Sequence, residues 1–386
     1  MPKKRRVAVV IDLEWPLAHH QRVFAGIHRY ASQRGGWNCS IDPYLDLTAN
    51  HRGDSHQLDG IVGRIPALLA KQARRRGVPL VNVWANSPAA NVVSVLHDAA
   101  GSGRMAARHL IARGYRNFAY LGIAHDKVSL NQLAGFREVL AEHEYPCDEC
   151  WTQRLHPEVK RHWQAFQKQL GAWIDGLSPP IGVFATTDLL TRYIAEAVQE
   201  HDLRLPADMA LIGSGNELAI CSTPEPSLSS IDFGFERIGY RAAELLDEMM
   251  AGATPPSEPQ FLPPVQLAVR ASSGAFAVDH PLVTEVLAYI GENLPENLSL
   301  EHLAAQVATT PRTLSRLFRS SLGKSVHQTI IQLRLERAKR ELIENDDLLK
   351  VIATRCGFRD AIHLCKVFQR EHQITPSDYR ANHRKE

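Results

Sequence analysis

No run of eighteen consecutive apolar residues occurs anywhere in this 386-residue chain, so no segment reads as a bilayer-crossing helix. Cysteine is scarce: six residues, scattered, fit a reducing cytoplasm and argue against a disulfide framework. Cys147 and Cys150 form a CxxC, but no second Cys or His pair stands at zinc-ligand spacing, and "YPCDECW" reads as a loop entering a strand. Motifs of nucleotide and ester chemistry are also missing. There is no P-loop, no GxGxxG after a strand and no GxSxG elbow, and the glycine cluster at Gly213 to Gly215 lacks its third member. His19, His20 and His97 are isolated and read as surface or packing residues. No enzyme activity, metal or cofactor is therefore expected.

Charge of one sign is also lacking. The net charge is only +2. From residue 281 onward 16 Lys and Arg face 13 Asp and Glu, while the rest of the chain has 28 against 29. So mild a bias permits a nucleic-acid partner for the tail without demonstrating one. The basic residues Lys3 to Arg6 lead straight into a β-branched run, without a signal-peptide pattern, and read as a solvated end before a first strand.

What is present falls into two textures. Short β-rich runs at 7–13, 58–65, 79–84, 117–123, 181–188 and 209–215 alternate with helical periods such as "NQLAGFREVLAEHE" and "ERIGYRAAELLDEMMAG". Several helical runs stop on glycine. Apolar strands alternating with helices predict parallel sheets covered on both faces. A chain this long needs more than one core. The proline-rich stretch 252–274 predicts an extended return segment and then a linker, and beyond His280 every segment reads as helix. The expected domains are therefore an α/β domain over 1–275 and an all-α domain over 281–386.

In the tail, Ser299 is placed to cap a helix carrying Leu303, Ala304 and Val307 inward. After a short turn, Pro311 suits the first position of a second helix. Leu314, Leu317 and Phe318 share one of its faces, and Arg312, Ser315, Arg316 and Arg319 lie toward the other. That is a helix-turn-helix pattern. A second unit follows in "LLKVIATRCGF" and "RDAIHLCKVFQRE", with a helix of about twenty residues (325–345) between the two. At ~1.5 Å per residue this helix spans ~30 Å, close to the ~34 Å repeat of DNA.

Here the sequence resembles the AraC family of transcription regulators over residues 281–384, through "RTLSRLF", "RLERAKREL", "IATRCGF", "LCKVF" and "TPSDYR" in order. The family's usual aromatic in the second reading helix is Leu364 here, and Gln373-Ile374 replaces the glycine before "TP". The resemblance implies a double-stranded DNA operator as partner. It places Arg312, Ser315 and Arg316 of the first unit, and Ala361, Ile362, His363 and Lys366 of the second, in base-facing positions. Arginine can donate two hydrogen bonds to guanine, whereas alanine or isoleucine touches only a thymine methyl, so the first unit is expected to carry most of the specificity. These side chains could instead solvate a helix face or touch phosphates.

The front part resembles the two-lobed periplasmic-binding-protein architecture of LacI-type repressors, in "FATTDLLTR", "LPADMALIGSGNE" and "SLSSIDFGFERIGYRAAELL", with a crossing at 225–235. That resemblance implies a small sugar effector, and the order of the domains, with the DNA reader last, is similar to that of pentose-responsive members of the AraC family, which implies a pentose. Ligands in open α/β sheets sit at the carboxyl ends of strands, where Asp188, Asn216, Asp232, Asp12 and Asp98 fall. Such groups accept hydrogen bonds from adjacent hydroxyls, though an Asp after a strand also commonly caps a helix. Trp15 or Trp84 could stack on a sugar face. The LacI-type pattern would place an arginine at Gln132 and an aspartate at Gly215, and both are absent. The combined expectation is a cytoplasmic homodimeric regulator, more an activator than a repressor, with RNA polymerase as a further partner. An amidotransferase-like or merely dimerising front domain are the rival readings.

Overall fold

The computed structural model describes residues 4–14, 18–34, 36–45, 58–154, 160–222, 225–277 and 280–383. They form two compact units. One comprises the chain to Arg108 and Asn117–Gly274; the other comprises His109–Arg116 and the chain from Ala275.

The first unit contains two α/β lobes. Its elements begin with β1 (Arg5–Val10), α1 (His19–Arg34), β2 (Trp37–Ile41), β3 (Gly60–Gly63), α2 (Ala67–Arg76), β4 (Leu80–Asn82) and β5 (Val95–His97). Then come α3 (Ala99–Ala112), β6 (Asn117–Ile123), α4 (Lys127–Ala141), β7 (Asp148–Thr152), α5 (Lys160–Asp175), β8 (Ile181–Ala185), α6 (Asp188–Glu200), β9 (Met209–Ser214), α7 (Leu218–Cys221) and β10 (Ser229–Asp232). The chain next runs through α8 (Phe235–Met250), β11 (Gln260–Leu262), β12 (Gln266–Ala268) and α9 (Ala271–Gly274).

The first lobe holds a parallel sheet ordered β2-β1-β3-β4, with the short pair β11-β5 beside it. The second holds a six-stranded sheet ordered β12-β10-β9-β8-β6-β7. Every residue of β8 and β9 is buried, which is why those strands read as unbroken apolar runs. One strand departs from the parallel expectation: β12 runs antiparallel to β10. It is laid down a few residues after β11, as the chain passes back from the first lobe to the second. The sequence "YPCDECW", expected as a loop entering a strand, is loop through Cys147 and strand β7 from Asp148.

Helix α8 belongs to the first lobe although it follows the strands of the second. Ile238, Ala242 and Leu246 share a core with Val7, Val9, Val23, Ile27 and Val62. Its approach to α1 is close enough to exclude side chains. A Cβ on Gly26 would lie 2.0 Å from the Glu236 carbonyl oxygen, and one on Gly239 would lie 1.9 Å from that of Val23. Backbone stands on both sides, so no rotamer change makes room.

The second unit is helical, with α10 (Pro281–Glu292), α11 (Leu300–Gln306), α12 (Pro311–Leu322), α13 (Val326–Glu344), α14 (Leu349–Arg355), α15 (Ala361–His372) and α16 (Pro376–His383). Ser299 caps α11 by accepting from the His302 N–H, and Thr310 caps α12 ahead of Pro311. Ser325 and Gln328 form a reciprocal capping box at the start of α13. Two cores result. Leu303, Leu314, Phe318 and Ile330 lie in one, and Ile331, Leu335, Ile352, Leu364 and Phe368 in the other. Helix α13 thus serves both helix-turn-helix units. Residues 109–116 are built into the same unit: Arg113, fully buried, pairs with Glu336 of α13 and lies 4.6 Å from the Phe276 ring.

Substituting Gly239→Ala should destabilise the protein by at least ~1–3 kcal/mol, the usual cost of overpacking, and lower the melting temperature by several degrees. An unchanged thermal melt would show that α1 and α8 are free to separate.

Candidate functional site

A cavity of about 230 Å³ opens between the two lobes of the first unit. Its wall comes from the ends of β1, β3, β4, β5, β6, β7, β8, β9 and β10 and the segments that follow them, as the strand-end rule for open α/β sheets requires. Ligand pockets commonly run to ~300–1,000 Å³, so this space suits one small ring rather than an oligosaccharide. The wall is amphipathic. Val23, Ile123, Trp84, Phe233 and Phe235 supply apolar surface, while Arg64, Asn86, Asp126, Arg154, Asp188 and Glu217 supply polar groups.

Asp188 is the one ligand candidate from the sequence that lines this cavity. It opens α6, after the cap Thr187. Its carboxylate accepts from Ser230 Oγ and from the Glu217 N–H, and burial pushes its pKa up. The other four lie outside the lining. Asn216 donates to Asp232 at 3.2 Å and accepts from Arg270 at 2.7 Å. Asp232 also accepts from the Gly234 N–H. Asp12 accepts from the Glu14 N–H. Asp98 accepts from the Gly101 N–H and pairs with Arg104. Of the two tryptophans, Trp84 lines the cavity and Trp15 is outside the described residues.

Gln132, where an arginine was looked for, is buried beneath the wall and not in it. Its amide donates to Ser214 Oγ at 2.9 Å, and its carbonyl accepts from Thr186 Oγ1 at 2.6 Å and from Tyr120. Guanidinium groups reach the cavity by other routes. Arg64 follows β3 and lies over the Trp84 ring at 4.5 Å. Arg154 follows β7 and pairs with Asp126. The strand-end signal that singled out the aspartates would also have found Arg64, Arg154 and Glu217; nothing local distinguishes Asn86.

Three histidines expected as surface or packing residues also line the cavity: His19, His20 and His97. His97 packs 4.3 Å from Phe233, ring centre to ring centre. Burial lowers its pKa to about 4, and that of His19 to about 3 with help from His20 and Arg64.

Two sets of bonds clasp the lobes beside this space. Arg22 of α1 donates to the carbonyls of Gly215 and Asn216 at 3.3 and 3.0 Å, and the Ala18 N–H donates to Glu217. On another side, Asn86 donates to Asp126 and accepts from the Lys127 N–H, each at 2.8 Å.

The cysteines carry no sign of activation. Burial holds Cys147 and Cys221 near 12 and Cys150 near 11. None of the three lines the cavity.

In the second unit Arg312, Arg316 and Lys366 are exposed, and Ser315, Ala361 and His363 are partly so. Ile362 projects with two-thirds of its surface in solvent. Among the described residues none of Arg312, Arg316 and Lys366 is in an ion pair, whereas Arg359 and Arg370 beside the second set are paired with Asp360 and Glu371. The first helix therefore presents the less neutralised charge.

A periplasmic binding protein-like domain model matches residues 107–273, and a helix-turn-helix domain model matches residues 303–382. The xylose operon regulatory protein of Haemophilus influenzae is 27% identical over 281 residues, 72% of each chain. That of Escherichia coli K12 is 24% identical over 390 residues, covering 98% of this chain and 97% of its own. Among solved structures, one of the xylose-binding transcription activator XylR superposes with a TM-score of 0.61 over 98% of both chains at 23% identity, a likeness that bears on the fold. Among the described residues no helix is long and apolar enough to cross a membrane.

Because the folded-state pKa values of His19 and His97 lie below the unfolded value of 6.5, the unfolded chain binds more protons between about pH 6.5 and pH 4. Stability should fall as pH drops through that window. Histidine ring NMR should show neither residue titrating between pH 8 and 5; a midpoint near 6.5 for either would contradict this.

Proposed function

We propose that this chain, in which a helix-turn-helix domain follows a periplasmic-binding-protein-like domain and which is similar over nearly its full length to the xylose operon regulatory proteins, is a transcription regulator of the AraC type that couples recognition of a small sugar to DNA binding. The observation that carries this reading is the cavity. It offers an aromatic ring, a guanidinium and a buried carboxylate around a space of monosaccharide size, the combination that meets the apolar face and the hydroxyl edge of a sugar ring. A front domain that only dimerises would have no use for buried charge there, since each such group costs desolvation energy.

The effector in this account is a pentose, held by Asp188 with Arg64 and Trp84. Arg312, Ser315 and Arg316 read bases in one major groove, and Ala361, Ile362, His363 and Lys366 meet the next. The protein acts as a homodimer on paired half-sites, as an activator that engages RNA polymerase. Sugar shifts the equilibrium between arrangements of the lobes only by its difference in affinity for them. A change of ~100-fold in operator affinity corresponds to ~2.7 kcal/mol of coupling.

Two measurements test the reading. In a thermal-shift screen of pentoses and hexoses, at least one sugar at ~100 Kd should stabilise the protein by ~2.7 kcal/mol; stabilisation by none would refute the sensor. In selection from random duplexes, Arg316→Ala should relax preference at one base position. A uniform loss across all sequences would make Arg316 a phosphate contact instead.

A further inference from the structure

The geometry points to Arg64 as the donor that grips the effector's oxygens, with His20 as the positioning residue that aims it. This rests on the sensor reading above and adds to it a specificity-determining pair that none of the sequence motifs contains.

Consider first how Arg64 is held. Its backbone N–H donates to the Val10 carbonyl at 2.8 Å, extending the pairing of β3 with β1. The residue after it, Ile65, donates its N–H to the side chain of buried Asn82. The same Asn82 bonds the N–H and the carbonyl of Trp84, each at 3.0 Å, and donates to Ser94 Oγ. Asn82 thereby fixes both the stem of Arg64 and the indole beneath its guanidinium. A guanidinium held over the face of Trp in a water-poor wall is favoured, and its N–H donors point outward in the guanidinium plane. Such an edge, with five N–H donors in a rigid fork, suits two neighbouring hydroxyl oxygens.

His20 settles the direction of that edge. It is nearly fully buried at the start of α1. Its Nδ1 lies 2.7 Å from the Asp12 carbonyl oxygen. A carbonyl can only accept, so Nδ1 carries the proton and Nε2 is left as an acceptor. Nε2 lies 3.1 Å from Arg64 Nη1. The relay therefore runs from the Asp12 carbonyl through a neutral imidazole to the guanidinium, and it works only while His20 is unprotonated. Protonation would place an N–H where Arg64 now donates and set two cations against each other.

The groups facing the His19–His20 pair are Asp12 after β1, His19 and Arg22 on α1, Arg64 after β3 and His97 after β5. Burial and the Arg64 charge favour neutral His20, while the bond to the Asp12 carbonyl and the Asp12 charge oppose that. The lowering dominates, so the relay is intact at neutral pH and is lost on acidification.

The test uses the full-length protein with D-xylose, L-arabinose, D-ribose and D-glucose as probes. Binding is measured by calorimetry over a pH series from 7.5 down into the acid range for the wild type, Arg64→Lys and His20→Phe. For the tightest-binding sugar, Arg64→Lys should weaken affinity about tenfold or more, the scale of one charged hydrogen bond. Wild-type affinity should fall on the acid side of the series as His20 takes up a proton, and His20→Phe should bind weakly with a shallower pH dependence. Nitrogen-15 histidine spectra of the sugar-free wild type should show His20 as the Nδ1–H tautomer at pH 7.5, a result that needs neither ligand nor variant. An Nε2–H tautomer overturns the relay. If a sugar binds the wild type and Arg64→Lys equally, the grip is overturned while the sensor reading stands. If the wild type binds none of the four, the grip falls together with that reading.

Discussion

Most polar groups withdrawn from water between the lobes are answered by other groups, and the way this chain answers them decides which residues are left to meet a ligand. Much of the floor of the cavity is committed within the protein. Gln132 is tied to Thr186, Ser214 and Tyr120, and Asp188 to Ser230 and Glu217. Asn216, Asp232 and Arg270 satisfy one another where the chain crosses between lobes. An unanswered buried polar group costs ~1–3 kcal/mol, so such closed sets are rigid. Recognition falls to the remaining acceptor sites of Asp188 and to groups that stand on these sets. Arg64 over Trp84 is the best supported of these, since its frame is built from Asn82 and His20.

The same constraint divides what could be read in the sequence from what could not. Long buried strands announced themselves: β6, β8 and β9 are continuous apolar runs, and they lie where such runs suggest. The helix-turn-helix units were legible for another reason. Their signals are local, with Ser299, Thr310 and Pro311 at helix starts and apolar residues at helical spacing on one face. The short strands β5, β11 and β12, three residues each, carry too little pattern to distinguish them from loops and are defined by partners far away in the chain.

The cavity was the least legible part. Its polar wall is assembled from segments after β3, β4, β6, β7, β8 and β9, brought together only by the sheet topology. An aspartate at a strand end has two uses, capping a helix or meeting a ligand, and sequence does not separate them. Asp98 shows the difficulty: it holds the first turn of α3 through Gly101. Gln132 shows the converse. Its position suggested the loss of a sugar-gripping arginine, yet it works beneath the wall while guanidinium groups arrive from Arg64 and Arg154.

The central claim is that sugar in the cavity and DNA on the reading helices are thermodynamically linked through this one chain. Linkage is reciprocal: if sugar changes operator affinity by some factor, operator must change sugar affinity by the same factor. The most direct measurement is sugar affinity by calorimetry, on the full-length protein, with and without saturating duplex chosen by selection from random sequence. The account predicts that the two affinities differ, and that the ratio equals the one obtained by titrating duplex with and without sugar. Identical sugar affinities in the presence and absence of that duplex would contradict it.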